Sequence, residues 1–426
     1  MDIDPMEIAS ALAQIPLFRE LQKLLMSQSG PVNWEIAGQI ARSVASGRGP
    51  GPGPSRDDFT AYEEACRLAL MRVTEITGLE APSHISKVEL VDRVAWANAN
   101  LEAFRPFVER LAKGLGGQFG AGSSPFGGLG GLGGMGGMGG MGGAMGGFGG
   151  SGLGPPTGPG EMEPIDPAAA AGIGMGAIFG ALGPLILGLE IGFLVGFLSR
   201  QVLGQYDLCL PRGDLAKLYF VIPNIADVQG DLGLDVRQLQ MYLALHEVTH
   251  QLEFSSIPWV RTHFVAMVER FVDAAEIDSS EAATRLQSLG DPENLQRLLA
   301  HPEELLPMLI TPPQQEMARE IETLMAVLEG YVEWVMDQVG PGYLPELSRT
   351  REGLNRRRAE RSSVERLLEG LLGIDLKPAQ YRAGERFVKA VAAAGQLAKL
   401  WESAAALPTP EELGEPTKWL SRVAFS

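Results

Sequence analysis

The amino-acid sequence predicts a mainly α-helical protein with a small β element. Outside a glycine-rich segment at residues 114–167, apolar residues recur mostly at three- and four-residue steps, the spacing of one helix face. Residues 235–256 contain no glycine or proline, and Pro258 follows them, so they predict one long helix that ends before this proline. Residues 218–222 have the composition of a short strand. The β content is therefore expected to be small.

Glycine content divides the chain into three predicted regions. Residues 1–113 predict an N-terminal helical region that packs on the core. Residues 114–167 carry Gly-Gly-Leu and Gly-Gly-Met repeats followed by prolines. They bury too little apolar surface to offset their ordering entropy, so we expect a flexible linker. Residues 168–426 predict the main core with a helical C-terminal part. Helical spacing in the first region is found at residues 34–41, 62–76 and 87–111.

An apolar stretch opens the third region. Residues 168–189 carry no charge and are long enough to cross a bilayer. However, Pro184 interrupts the stretch and Glu190 follows it directly, which disfavours a membrane span. We therefore expect a buried helix, or a pair of helices, and no membrane partner. Small residues at four-residue steps, which allow close helix packing, continue through Gly188, Gly192 and Gly196.

The composition limits the function classes. A formal net charge of −17 leaves no broad positive surface for phosphate groups, so we expect no nucleic-acid partner. The basic cluster at residues 349–361 is interleaved with glutamates and predicts a solvated helix face. Cys66 and Cys209 lack the spacing of a metal or redox motif and indicate a reducing compartment. Because a positively charged segment before an apolar run is missing at the N-terminus, we expect a cytoplasmic protein. The oligomeric state is not predicted.

The most informative pattern is His246-Glu247-Val248-Thr249-His250, in a chain with only five histidines. Histidines four residues apart lie on the same face of a helix, so both imidazoles can bind one metal ion. Glu247 can reach a water molecule on that ion and take its proton, as in zinc hydrolases. The motif predicts a Zn²⁺ site with His246 and His250 as ligands and Glu247 as the general base. Two metal-free histidines on an amphipathic helix are the disfavoured alternative, because the motif is complete and its helix unbroken.

A third ligand is needed, because catalytic zinc sites have three protein ligands and one open position. Glu253 is close in sequence, but a third ligand normally comes from another segment, and His263 would have to return through a turn. Glu329 and Glu333, four residues apart on a mostly apolar helical stretch, are better candidates. Glu329 would bind the metal while Glu333 accepts a proton from a ligand histidine and fixes its tautomer. In the same pattern shifted by one turn, Glu333 would bind the metal and Asp337 would accept the proton from a ligand histidine.

Further segments make the chain resemble a known family. They are residues 34–37, 93–96, 100, 203–207, 223–225, 246–254, 258–261, 329–333, 373–377, 380–381, 401–402, 407–412 and 419–420. In combination they resemble the zincin-like metallopeptidase family of actinobacteria and related lineages. Its members carry labels such as hydrolase or deazaflavin-coenzyme-biosynthesis-associated protein. The resemblance implies a mostly helical zincin-like metallohydrolase fold, with His246 and His250 as metal ligands, Glu247 as base, and a third ligand within residues 329–333.

We therefore expect a zinc-dependent hydrolase, a metallopeptidase that acts on a peptide or protein substrate. Zinc would polarise the scissile carbonyl and activate a water molecule for Glu247. The strand at residues 218–222 stands where many zinc peptidases hold extended substrate along a sheet edge. Two alternatives stay open. One is a metal-stabilised scaffold or coenzyme-biosynthesis-associated binding protein without turnover, and the other is a membrane-embedded protease that uses the apolar helix.

Overall fold

Long helices account for most of the structure. The computed structural model describes residues 30–47, 49, 51–81, 87–120, 184–185, 187–206, 217–274, 312–360 and 378–424. Within these ranges the regular elements are helices and a parallel sheet of two short strands. The predicted fold class, mainly α with a small β element, is confirmed.

Local capping fixes the first helices. The Asn33 side chain accepts a hydrogen bond from the backbone N–H of Ile36, and Ser55 and Asp58 form a capping box at the start of the next helix. Gly78 ends that second helix in a left-handed conformation that glycine adopts without strain. The elements of this part are α1 (Trp34–Ser46), α2 (Arg56–Thr77), β1 (Lys87–Val91), α3 (Arg93–Gly120) and α4 (187–198).

The C-terminal part contains the motif helix. Its elements are β2 (Lys217–Val221), α5 (Ile222–Leu232), α6 (Val236–Ser256), α7 (Pro258–Asp273), α8 (Pro312–Tyr343), α9 (Leu347–Glu360), α10 (Pro378–Ala393), α11 (Leu397–Leu400), a 3₁₀ turn (Ala404–Ala406), α12 (Pro410–Gly414) and α13 (Pro416–Ala424). Asp235 caps α6 by accepting a hydrogen bond from the N–H of Gln238 at 3.0 Å. The helix ends before Pro258, as predicted. Pro258 and Pro312 begin the next two helices, where a missing N–H costs no helical hydrogen bond.

Strand β1 corrects the prediction of a helix over residues 87–111. This strand pairs in parallel with β2, and Leu90 lies opposite Phe220. Val88 and Leu90 are buried, while the residues between and around them are partly or fully exposed. Such alternation is typical of a strand with one face on the core. Helix α3 begins only at Arg93.

The strand predicted at residues 218–222 is confirmed as β2, displaced by one residue. Its side away from β1 is occupied at the C-terminal end. In addition to its ladder with β1, Phe220 forms an antiparallel bridge with Gly204, and the Val221 N–H donates to the Leu203 carbonyl at 2.9 Å. The C-terminal end of β2 therefore already has backbone partners, and substrate pairing along the rest of this strand stays a prediction.

The glycine stripe of α4 packs against α1. A methyl group at any of its three glycines would overlap a backbone oxygen of α1 or its N-cap, in the pairs Gly188–Asn33, Gly192–Ala37 and Gly196–Ala41. The small residues therefore serve a close helix pair within the chain. None of the described helices is both long and apolar enough to cross a membrane. Residues 168–183, which begin the apolar stretch, lie outside the described residues.

Helix α6 is enclosed by the main core. Every residue from Leu239 to Phe254 is buried, so this part of the helix presents no face to solvent. Helices α2 and α8 both pack against it, and a second apolar cluster joins α1, α3 and α4. The division into three regions stays a prediction. Helix α3 continues to Gly120, past the expected boundary, and residues 121–167 lie outside the described residues.

Candidate metal centre

Three buried side chains from two helices converge at the motif. His246 and His250 lie one turn apart on α6, with ring centres 4.8 Å apart, and Glu329 reaches them from α8. The Nε2 of His246 is 3.7 Å from Oε2 of Glu329, and the Nε2 of His250 is 3.6 Å from Oε1 of Glu329. One ligand atom of each residue lies within 4.8 Å of the other two. The structure thus brings these three predicted residues together, and their binding of a metal ion stays a prediction.

The donor set and its spacing suit a divalent ion such as zinc. Zinc binds imidazole nitrogen and carboxylate oxygen at about 2.0–2.2 Å, and a tetrahedral arrangement then separates ligand atoms by about 3.3 Å. The observed separations of 3.6 and 3.7 Å exceed a hydrogen bond and fit atoms that share an ion. Among the described residues, no other group of His, Cys, Asp and Glu side chains has this spacing.

Glu253 supports the second histidine. Its Oε2 lies 2.7 Å from Nδ1 of His250, one turn earlier on α6, and neither side chain is exposed. When Glu253 is ionised, Nδ1–H donates to it and the lone pair of Nε2 faces Glu329. A carboxylate in this place fixes the tautomer and the ring orientation of a metal-binding histidine.

The carboxylates also raise the proton affinity of the site. Burial alone lowers the pKa of His246, but the nearby carboxylates of Glu247 and Glu329 outweigh burial, so the net pKa of His246 is raised. Burial raises the pKa of Glu253 to about 7, and the neighbouring His250 opposes this shift. Protons would therefore compete with a metal ion at these atoms, and metal binding would release protons.

Glu247 is held by the main chain before β2. Its Oε2 accepts a hydrogen bond from the backbone N–H of Tyr206 at 2.8 Å, and its Oε1 lies 3.4 Å from Nδ1 of His246. The same carboxylate acts on Cys66 of helix α2. Burial is the main cause that raises the pKa of the Cys66 thiol to about 12, and the charge of Glu247 adds to it, so this thiol stays protonated at neutral pH. A carboxylate fixed beside the histidines can act as a base toward a water molecule there.

Two glycines position Glu329. Helices α8 and α10 cross with their backbones in contact at the residue that follows Glu329. A methyl group at Gly330 would overlap the backbone of Gly384, and a methyl group at Gly384 would overlap the carbonyl of Ala326. Because larger residues would push the two helices apart, this crossing fixes where α8 presents the Glu329 carboxylate to α6.

Glu333 does not join the histidines. Its Oε2 pairs with Nε of Arg351 at 2.6 Å, and Arg351 also pairs with Asp337 at 2.8 Å. The contact predicted between Glu333 and a ligand histidine is made instead by Glu253, which lies on the same helix as His250. Because Arg351 on α9 attracts both carboxylates of α8, this part of the basic cluster is an ion-pair partner rather than a solvated face.

His263 is not a returning ligand. It lies on α7 with its ring 6.0 Å from the ring of Trp259, outside the group of convergent atoms. Two contacts of the site were not predicted, namely that of Glu253 with His250 and that of the Tyr206 N–H with Glu247. The three-residue spacing of Glu253 from His250 is the signal in the sequence for a supporting contact on one helix face.

Comparison with known proteins shows the family and the fold of the chain. A family model described as zincin-like metallopeptidase matches residues 32–420, and the chain therefore belongs to this family. A crystal structure from Chloroflexus aurantiacus, described as a candidate hydrolase with a novel fold, is similar to the chain with a TM-score of 0.61 and 24% identity. The similarity covers 93% of this chain and 99% of that chain, and it shows a shared fold. None of the curated proteins compared with the chain matches it.

Proposed function

We propose that the protein is a zinc-dependent metallopeptidase that hydrolyses peptide bonds in a peptide or protein substrate. The observation that carries the proposal is the convergence of His246, His250 and Glu329 within 4.8 Å, with Glu247 beside the first histidine. Membership of the zincin-like metallopeptidase family supports the same class of reaction. The hydrolase description of the Chloroflexus aurantiacus protein points in the same direction.

Each side chain has a separate role in this proposal. His246 and His250 would hold the ion through Nε2, and Glu329 would complete the set of protein ligands. Zinc, when bound, supplies a Lewis acid that polarises the scissile carbonyl and lowers the pKa of a water molecule. Glu247 takes a proton from the attacking water and passes it to the leaving nitrogen. Glu253 keeps the ring of His250 in place through Nδ1.

Burial of the site favours an extended substrate. The side chain of His250 is 0% exposed and that of Glu329 is 5% exposed. A folded protein surface cannot bring its backbone to atoms at this depth, so cleavage here would require an extended or unfolded segment. We therefore propose extended peptide segments as the substrate class. Exclusion of water would also strengthen the electrostatic interactions on which this chemistry depends.

A non-catalytic role is the second candidate, and the same burial is the observation that favours it. Structural zinc sites are closed, whereas catalytic sites keep one position open for water or substrate. A metal ion enclosed by His246, His250 and Glu329 without access for substrate would stabilise a scaffold or a binding protein. The presence of Glu247 favours the enzyme, because a purely structural site needs no base.

The test compares zinc-loaded wild type with Glu247→Gln in an unbiased peptide-library digest. Glutamine keeps the size of the side chain but cannot take a proton, so cleavage should fall by about 10²–10⁴-fold while zinc content stays the same. Glu320→Gln, a change of an exposed glutamate on α8, serves as the matched control and should cleave like wild type. Equal cleavage by all three proteins would indicate a contaminant. Full zinc occupancy with no cleavage by wild type would favour the scaffold.

A further inference from the structure

Residues 202–206 connect the sheet to the site. This segment, called here the 202–206 segment, follows α4 and is fixed at both ends. Leu203 and Gly204 pair with the end of β2, as described above. The side-chain Nδ2 of Asn224 donates to the carbonyls of Ser199 at 2.8 Å and of Val202 at 2.7 Å. The segment is therefore tied to β2 and to the start of α5 before it reaches α6.

A buried arginine holds this anchor in turn. The Nε of Arg93 donates to Oδ1 of Asn224 at 2.7 Å, which orients the amide so that its Nδ2 faces the two carbonyls. The same guanidinium pairs with Asp227 at 2.6 Å and donates to the carbonyl of Gly49 at 3.2 Å. Arg93 is 3% exposed, so these contacts satisfy a charge that would be costly to bury alone.

The 202–206 segment touches two functional residues of the motif helix, Glu247 and His250. The backbone N–H of Tyr206 donates to Oε2 of Glu247 at 2.8 Å. The ring of Tyr206 lies 5.8 Å from the ring of His250. Gly204 packs so closely that a methyl group there would overlap Oε1 and Cδ of Glu247. The carboxylate of Glu247 is thus held between a hydrogen-bond donor and a backbone surface without a side chain.

We propose that the 202–206 segment is the positioning element for Glu247, and that Gly204 is required because only glycine leaves the carboxylate in its place. The catalytic consequence rests on the proposed function, whereas the contact itself does not. The backbone of Gly204 is not in the left-handed region, so alanine causes no backbone strain there. The atoms in its way are the flexible end of Glu247, and Gly204→Ala should therefore move the carboxylate without unfolding the protein.

The contact is tested without any substrate, by a double-mutant cycle on thermal unfolding of the full chain. In the wild-type background, Gly204→Ala should lower the melting temperature by a few degrees, because the Tyr206 N–H loses its acceptor. In a Glu247→Ala background the added methyl group enters vacated space, so the same change should cost little or nothing. Gly230→Ala, on α5 with open space around it, is the control and should show no dependence on residue 247. An equal loss from Gly204→Ala in both backgrounds would overturn the proposal.

The catalytic consequence is tested on zinc-loaded protein with a peptide that wild type cleaves. Gly204→Ala should lower kcat by about 10²-fold, because misplacement by about 1 Å has this effect, while KM and zinc content stay near wild type. In the Glu247→Gln background it should cause no further loss. A fall in zinc content or an unchanged kcat would contradict the positioning role. If wild type cleaves nothing, the proposed function fails, and the unfolding cycle alone decides whether the segment holds Glu247.

Discussion

The Nδ1 of His250 lies 2.7 Å from Oε2 of Glu253, one turn further along the same helix. One helix thus supplies a predicted ligand, its supporting carboxylate and the predicted base. Since residues three and four apart share a helix face, this relationship needs no long-range contact to form. It leaves Nε2 of the histidine facing Glu329 on the neighbouring helix.

The supporting contact predicts that Glu253→Gln weakens zinc binding by about 10-fold or more, in the range typical of carboxylates behind a metal ligand. Glutamine can still accept a hydrogen bond from Nδ1, but it lacks the negative charge that makes the imidazole a better donor to metal. Affinity would be measured at pH 8 by competition with a chromogenic chelator. Glu320→Gln, at an exposed glutamate on α8, is the control and should bind zinc like wild type. Equal affinities for both variants would argue against the supporting role.

The third ligand is tested by comparing two glutamates on α8. Glu329→Gln should weaken zinc binding by more than about 100-fold, beyond the losses typical of groups that only support a ligand. Glu333→Gln should have little effect, because that side chain pairs with Arg351. Metal content after dialysis, measured by elemental analysis with His246→Ala as the empty reference, gives the ranking. The reverse order would move the ligand to Glu333.

The metal-binding part of α6 and the ligand position on α8 can be predicted from the sequence, because the features that indicate them lie close together along the chain. The four-residue spacing of His246 and His250, the cap at Asp235 and the proline after the helix all act within a few turns of chain. Glu329 is indicated by its apolar neighbours, since a carboxylate on such a helix needs a partner in the interior. These arguments require no knowledge of how distant segments pack.

The rest depends on long-range packing. Residues 87–91 become a strand because they pair with residues 217–221, and their apolar pattern alone fits a helix equally well. Glu333 and Glu329 are equivalent by spacing, and only the position of Arg351 on α9 separates them. The close contact of Gly204 with Glu247 likewise joins segments that the sequence does not bring together.

The crossing of α8 and α10 predicts a strong effect of Gly384→Ala. The added methyl group would overlap the backbone of Ala326, which cannot move aside as a flexible side chain can. We expect a loss of about 1–3 kcal/mol in the free energy of unfolding, together with weaker zinc binding because Glu329 stands beside the crossing. Gly342→Ala, on α8 with nothing near its added methyl group, is the control. Urea denaturation with equal stability for both variants would contradict the close crossing.

The C-terminal helices carry a contact whose contribution to stability depends on pH. Arg422 donates to Oε1 of Glu412 at 2.7 Å, and the Thr409 N–H donates to Oε2 at 2.9 Å. Burial raises the pKa of Glu412, but these donors outweigh it, so the net pKa is lowered. A carboxyl group with a lowered pKa stabilises the fold above its unfolded value of about 4.3. This contribution is lost as the pH falls through the folded pKa.

Glu412→Gln should therefore reduce the free energy of unfolding by about 1–2 kcal/mol at pH 7. The difference from wild type should shrink as the pH falls below the unfolded carboxyl pKa and through the lower folded pKa. Urea denaturation at a series of pH values measures this difference. Glu415→Gln, which removes a partner of the exposed Lys418, should cost little at any pH. A difference for Glu412→Gln that does not change with pH would rule out the charged contact as its cause.

The convergence of Glu329 with His250 also concerns the lifetime of the folded protein. An ion shared by these residues would connect positions roughly 80 residues apart in the folded chain but not in the unfolded one, so its binding free energy would add to the stability of the fold. Such an ion would connect the two helices and, unlike a covalent bond, could be removed by a chelator. A chelator would then do more than stop hydrolysis, because the metal-free chain would open more often and be degraded sooner. Zinc supply would in this way control the abundance of the protein as well as its activity.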